Sequence, residues 1–185
     1  LAGLVVAIPL LIGGLLFTQV GRPSDFIDIQ EMEQVTQEGN SLAYMAAKYL
    51  IFGRVLPSAE GEDVWLSLPD SPGGPVAFAA WAGLLVTALN LLPIGQLDGG
   101  HIAYAVFGRR TAHLSKAVLV CMLGLGILAS RMWLMWALIL FVLLGIRHPA
   151  PLDYDVPLDR RRRMLGLSML VVFVITFVPV PFGNL

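Results

Sequence analysis

The chain has 185 residues, of which 57% are hydrophobic and 14% are charged, and its formal net charge is -1. Soluble domains carry about 25% charged residues, so this composition argues against a soluble enzyme, a disordered tail or a basic nucleic-acid-binding protein. The single cysteine, Cys121, excludes a disulfide framework and a thiolate metal cluster. An integral membrane protein is the class that remains.

Five apolar stretches are predicted to be membrane spans, because crossing the hydrocarbon core takes about 20 apolar residues. They cover residues 1–17, 75–93, 114–130, 132–146 and 164–180. The third and fourth are predicted as a helical hairpin over 114–146, since one helix of that length would measure about 50 Å. The predicted fold class is therefore all-α: a polytopic transmembrane helix bundle that forms a single membrane domain.

The segment between the first two spans, residues 18–74, holds nine of the thirteen acidic residues. A polar helix is predicted over 25–39, beginning at Ser24, because acidic residues follow that serine closely. Residues 58–74 are rich in proline, glycine and acids, and are predicted to be a loop.

Residues 41–55 are apolar on much of their surface but include two basic residues, Lys48 and Arg54. We expect an interfacial or re-entrant helix here, because two charges disfavour a full crossing. A sixth span is the alternative.

The basic residues predict the orientation of the spans. Eight of the twelve follow the second span or the fourth: Arg109, Arg110, Lys116, Arg147 and the run at 160–163. By the positive-inside rule both loops, including the basic loop 147–163, are cytoplasmic, and the acidic segment is not. Attraction to anionic lipid accounts for the arginine run, so the lipid bilayer is an expected partner and nucleic acid is not.

A second feature lies in the predicted span-and-turn region 75–108, where Asn90 to His101 read NLLPIGQLDGGH. Pro93 lacks a backbone donor and breaks the helix, and a broken backbone at membrane depth is tolerated only against protein or a water-filled cavity. Asp98 is an ionisable residue beside this break, which makes it a functional-site hypothesis by default. Two interpretations of Asp98 compete. It coordinates an ion or handles a proton, or it simply caps a helix that starts at Gly99.

The same string fits N-x-x-P-x-x-x-x-D-G-G and resembles the second signature of the site-2 protease family of intramembrane zinc metalloproteases (peptidase family M50). The opening LAGLVVAIPL resembles the span that follows the first active-site helix in bacterial and plastid members. RHPAPLDYDVPLDRRRRMLG resembles the cytoplasmic stretch before their last span. The resemblance covers essentially the whole chain, and implies an endopeptidase that cleaves transmembrane or membrane-proximal segments of protein substrates.

The resemblance also implies roles for particular residues. In the family, zinc is held by two histidines of an HExxH helix and by the aspartate of this motif, so Asp98 would be a catalytic residue and the third ligand to Zn²⁺. Asn90 would hydrogen-bond the substrate backbone or the oxyanion. Pro93 would shape the substrate-facing region, and Gly99 and Gly100 would allow the turn beside the metal.

No HExxH occurs in the chain, and none of its three histidines stands four residues from another. His101 is expected to orient the Asp98 carboxylate, with a simple interfacial polar residue as the alternative. Family order places HExxH before Leu1, so the favoured interpretation is a fragment that lacks the first active-site helix.

Two other function classes remain open at this point. One is a catalytically inactive relative that binds partners without proteolysis, and the other is a transporter or channel component with Asp98 as its cation site. The transporter or channel hypothesis ranks below the others, because the spans show neither an inverted repeat nor a second intramembrane charge. The predicted location is the bacterial inner membrane, with a plastid membrane as the alternative.

Overall fold

The computed structural model describes residues 2–21, 36–55, 65–67, 72–144 and 158–184. These residues form seven α-helices, one short 3-10 turn and four strands of three residues each. In chain order they are α1 (Ala2–Leu16), β1 (Gln19–Gly21), β2 (Thr36–Glu38), α2 (Leu42–Phe52), β3 (Trp65–Ser67), α3 (Gly74–Asn90), α4 (Asp98–Phe107), the 3-10 turn (Gly108–Arg110), α5 (Thr111–Leu128), α6 (Met132–Leu144), α7 (Arg160–Thr176) and β4 (Phe182–Asn184).

The described residues are thus mainly helical, in agreement with the predicted class. Helices occupy the predicted stretches 1–17, 41–55 and 75–93, and two helices rather than one occupy 114–146. By length and composition, one continuous helical stretch of the described chain, Asp98–Leu128, is long and apolar enough to cross a membrane. It contains α4, the 3-10 turn and α5.

Two short strands lie where the sequence predicted other structure. Thr36–Glu38 falls at the end of the predicted polar helix 25–39, and Trp65–Ser67 falls inside the predicted loop 58–74. Each pairs antiparallel with a strand distant in sequence, β2 with β4 and β3 with β1. Such pairing leaves no local signal. The remainder of both predicted segments lies outside the described residues, apart from Gly39 and from residues 72–74 at the start of α3.

The arginine run at 160–163, predicted to belong to a loop, is instead the first turn of α7. Asp159 precedes the helix, and its carboxylate accepts a hydrogen bond of 2.7 Å from the backbone N–H of Arg162. This is ordinary N-capping by aspartate, and arginine itself is a good helix former. The capped start therefore extends the helix four residues upstream of the predicted span 164–180.

The chain divides into two compact units, Leu1–Thr87 with Val180–Leu185, and Ala88–Pro179. In the first unit α1 and α3 touch at small residues. A Cβ added to Gly14 would lie 2.7 Å from the Cα of Ala77, and one added to Gly3 would lie 2.5 Å from Oγ1 of Thr87. Small residues let the two backbones approach closely.

The first unit also buries a polar group of side chains, the Lys48 cluster, formed by Glu38, Asn40, Tyr44 and Lys48. Lys48 and Tyr44 are 1% and 0% exposed. The ammonium of Lys48 donates a hydrogen bond of 2.9 Å to Oδ1 of Asn40 and lies 3.8 Å from the centre of the Tyr44 ring. The hydroxyl of Tyr44 donates to Oε1 of Glu38 at 3.0 Å. The buried ammonium group of Lys48 is therefore paired with polar and aromatic groups, as a buried charge must be.

In the second unit the core forms around the segment between α3 and α4. Leu92 and Ile94 from this segment are each 1% exposed, and they join a cluster from α5 and α6 made of Met122, Trp133, Ala137 and Leu140. The indole N–H of Trp133 donates a hydrogen bond of 2.6 Å to the carbonyl oxygen of Pro179. The interruption between the two helices is consequently anchored by buried apolar side chains.

Candidate active-site segment

The motif Asn90 to His101 coincides with an interruption of the helical backbone. α3 ends at Asn90 and α4 begins at Asp98, so residues 91–97 form a non-helical connection, termed here the break. The helix ends three residues before Pro93, as expected where proline removes a donor and restricts the residue before it.

The break keeps a few hydrogen bonds of its own. The backbone N–H of Ile94 donates to the carbonyl of Leu92 at 2.8 Å, and that of Leu97 donates to Ile94 at 3.2 Å. Gly95 has a φ of 52°, a left-handed conformation that glycine adopts without steric cost. The break is thus an ordered turn with a glycine at the position that requires one.

The glycine pair of the motif lies directly on the carbonyl groups of the break. A Cβ added to Gly99 would overlap the carbonyl oxygen of Leu91 and lie 2.6 Å from that of Leu92. A Cβ added to Gly100 would lie 2.8 Å from the carbonyl oxygen of Ile94. The first turn of α4 therefore packs backbone to backbone against the residues that follow Asn90, which a side chain at either position would prevent.

Asp98 is the first residue of α4 and is exposed. The N-cap position is Leu97, which makes no side-chain capping bond. Asp98 therefore does not cap α4, contrary to the alternative considered from the sequence. Its carboxylate in the first turn still interacts favourably with the helix dipole. Among the described residues, we find no hydrogen bond or ion pair that engages its carboxylate.

His101 and Asn90 are two other polar side chains of the motif, and both are exposed, as is Gln96. His101 follows Asp98 by three residues on α4, so the two side chains share a helix face. Asn90 is the last residue of α3. Contact between the glycine pair and the start of the break keeps the chain near Asn90 close to the chain near Asp98.

A complete zinc site is not assembled by the described part of the chain. No group of three His, Cys, Asp or Glu side chains there lies close enough together to hold a metal ion. Catalytic zinc sites use three protein ligands and leave one position open. The accessible carboxylate of Asp98 fits the chemistry of one such ligand.

Two hydroxyl side chains of α5 belong to this region and were not predicted. The Ser115 hydroxyl donates a hydrogen bond of 2.9 Å to the carbonyl oxygen of Pro93, and Ser115 is 2% exposed. Thr111 is also 2% exposed, and its Oγ1 has no partner among the described residues. The sequence held one signal for these residues, because a hydroxyl at the start of an apolar helix needs a hydrogen-bond partner once it is buried.

Comparison with known proteins identifies a matching family and several similar proteins. The model of peptidase family M50 matches residues 1–130. A protein named "Probable zinc metalloprotease EGY2, chloroplastic", from Arabidopsis thaliana, is 34% identical over 162 residues, which cover 87% of this chain and 27% of that protein. "Probable zinc metalloprotease EGY3, chloroplastic", from Oryza sativa subsp. indica, is 41% identical over 131 residues, covering 69% and 21%. No solved structure matches the chain.

The match to the family model covers well over half of the sequence, including the whole of the motif and the break. The chain belongs to peptidase family M50, as the motif resemblance predicted. It spans about a quarter of the length of the curated relatives it matches.

Proposed function

We propose that this chain is part of an intramembrane zinc metalloendopeptidase that cleaves membrane-embedded or membrane-proximal segments of protein substrates. The observation that carries the proposal is the exposed carboxylate of Asp98, which has no partner among the described residues and lies at the start of α4, beside a backbone break. Membership of peptidase family M50 and the metalloprotease names of the relatives support it.

In this proposal Asp98 is the ligand that the chain contributes to Zn²⁺, and two histidines of an HExxH helix are the expected others. Bound zinc would polarise the scissile carbonyl and supply Lewis acidity. Asn90 would hydrogen-bond the substrate backbone, and His101 would orient the Asp98 carboxylate. Pro93 and the glycine pair would hold the two polar residues at fixed positions, because misplacement by about 1 Å is enough to reduce catalysis strongly.

The proposed membrane arrangement has five spans, α1, α3, α5, α6 and α7. The basic residues of the 3-10 turn after α4 and of the first turn of α7 lie on the cytoplasmic side. Large apolar side chains point outward on these helices. Val5, Ile127, Val142 and Leu165, for example, are between 62% and 77% exposed. Large exposed apolar surfaces mark membrane or protein contacts, and the proposal assigns these surfaces to lipid. The chloroplastic relatives favour a plastid membrane, and the bacterial inner membrane stays a prediction.

Zinc content is the measurement that tests the proposal most directly. The complete gene product, purified in detergent, is expected to hold zinc, and Asp98→Ala is expected to lose most of it together with cleavage of a fluorogenic transmembrane peptide. Asp159→Ala is the matched control, because Asp159 is an exposed carboxylate at another helix start and lies outside the motif.

Two results would count against the proposal. Unchanged zinc content and cleavage in Asp98→Ala would remove Asp98 from the site. A wild-type product without zinc, and without HExxH in its complete sequence, would favour the inactive relative that binds partners.

A further inference from the structure

Helix α2 has its charged side chain, Lys48, inside, and the large side chains on its outer surface are aliphatic or aromatic, including Tyr49 at 60% exposed. Tyr44 and Lys48 lie on its buried face, with the N-cap Ser41 2% exposed next to them. The opposite face carries Leu42, 54% exposed, and Leu50, 83% exposed. This is the reverse of a helix on the surface of a soluble protein, where charged residues face solvent.

The charged side chain of α2 makes its contacts inside the first unit. Lys48 is the helix's one charged residue, and it is directed at Asn40 and the face of the Tyr44 ring. Tyr44 in turn reaches Glu38 on β2. A lysine with a long flexible stem could turn outward to water at little cost, so its inward position leaves the outer face with no charge at all.

The backbone of α2 also makes a capping hydrogen bond at each end. The Ser41 hydroxyl accepts a hydrogen bond of 3.1 Å from the N–H of Tyr44. At the other end Gly53, with φ 70°, donates its N–H to the carbonyl of Tyr49 at 2.9 Å. Satisfied helix ends matter most where water is absent, because an unpaired backbone group in hydrocarbon costs several kcal/mol.

We propose that the outer face of α2 contacts the acyl chains of one membrane leaflet. At eleven residues the helix is about 17 Å long, too short to cross a core of about 30 Å. α2 packs against α1 in the same unit, and exposed apolar side chains of α1, such as Val5 and Leu16, are 72% and 62% exposed. The two apolar surfaces belong to one unit, which favours lipid over a separate protein partner.

This inference rests on the membrane location in the proposed function and not on proteolysis. It assigns the Lys48 cluster a purpose: the cluster keeps the only charge of α2 out of the lipid-facing surface. The acidic segment between α1 and α3 is then partly attached to the bilayer through α2.

The test is depth-dependent fluorescence quenching in liposomes that contain the complete gene product. Leu50→Cys is made in a Cys121→Ala background, because Cys121 is an exposed free cysteine, and is labelled with an environment-sensitive fluorophore. Val5→Cys on α1 is the membrane control, and Arg161→Cys in the exposed first turn of α7 is the aqueous control.

We expect the label at position 50 to be quenched severalfold more by lipids with acyl-chain nitroxides than by iodide in the buffer, as at position 5. Stronger quenching by iodide would overturn the inference, and so would protection from both quenchers, which would indicate a protein partner or another part of the chain. If position 5 also fails to respond to the acyl-chain quenchers, the membrane location itself is wrong. The two failures are therefore distinguishable.

Discussion

The hydroxyl of Ser115 donates a hydrogen bond of 2.9 Å to the carbonyl oxygen of Pro93, joining α5 to the break between α3 and α4. Pro93 and its neighbours cannot use the regular helical pattern, so this carbonyl depends on a partner from elsewhere. The bond spans 22 residues of sequence and is buried. It holds the middle of the segment whose two ends are Asn90 and Asp98.

Ser115→Ala is therefore expected to loosen the break while leaving the helices in place. Losing the donor to a buried carbonyl should cost about 1–3 kcal/mol of unfolding free energy. We expect weaker zinc binding by the complete gene product, and slower peptide cleavage at saturating substrate with little change in KM. Ser115→Thr keeps the hydroxyl and should restore zinc binding. Equal loss of zinc in the Ala and Thr variants would contradict a positioning role.

The glycine pair supports a second prediction. Gly99→Ala would place a methyl group against the carbonyls of Leu91 and Leu92, and Gly100→Ala would place one against Ile94. Backbone atoms cannot yield as a flexible side chain can, so each change should destabilise the protein by about 3 kcal/mol or more. Thermal unfolding in detergent, followed by circular dichroism, measures this.

Gly124→Ala is the control for that experiment. Gly124 lies in α5 of the same unit, and apart from the adjacent backbone of its own helix no atom of the described chain lies within 4 Å of its added Cβ. Replacing a helical glycine by alanine without a clash should leave stability unchanged or raise it by up to about 1 kcal/mol. If Gly99→Ala were as well tolerated as Gly124→Ala, the close approach of α4 to the break would be wrong.

The helices and the break were predictable because their signals are local. Runs of apolar residues locate α1 and α3, and Pro93 with the following glycines indicates where the helix is interrupted. The family assignment also followed from one contiguous string. The partner of Pro93 was not predictable, because nothing near Ser115 indicates which of many distant carbonyls it contacts.

The inward position of Lys48 was unpredictable for the same reason. In the sequence, Lys48 counted only as a charge that disfavours a full membrane span. Its partner Asn40 lies eight residues earlier, beyond the spacing of neighbours on a helix. Glu38 reaches the cluster through β2, whose partner β4 lies at the far end of the described chain. Burial of a charge is decided by this tertiary pairing and not by local composition.

The Lys48 cluster predicts a pH dependence of stability. Burial lowers the pKa of Lys48 from 10.5 to about 8, against the smaller opposing effect of Glu38. Burial raises the pKa of Glu38 above 4.5, more than Lys48 and its hydrogen bonds lower it. Between about 8 and 10 the unfolded chain thus keeps a proton on Lys48 that the folded protein has released, so the free energy of unfolding should rise with pH in this window. Above 10, the ordinary pKa of tyrosine, burial raises the pKa of Tyr44 and acts in the opposite direction.

Lys48→Met removes the titrating group and is expected to abolish this rise, which for a shift of this size amounts to about 3 kcal/mol. The measurement is denaturant unfolding in detergent at several pH values across the window, followed by tryptophan fluorescence, because the Trp81 indole donates to the carbonyl of Gly39 beside the cluster at 2.8 Å. Arg54→Met is the control, since Arg54 is an exposed basic residue outside the Lys48 cluster. A rise that persists in Lys48→Met, or that disappears equally in Arg54→Met, would show that Lys48 is not its source.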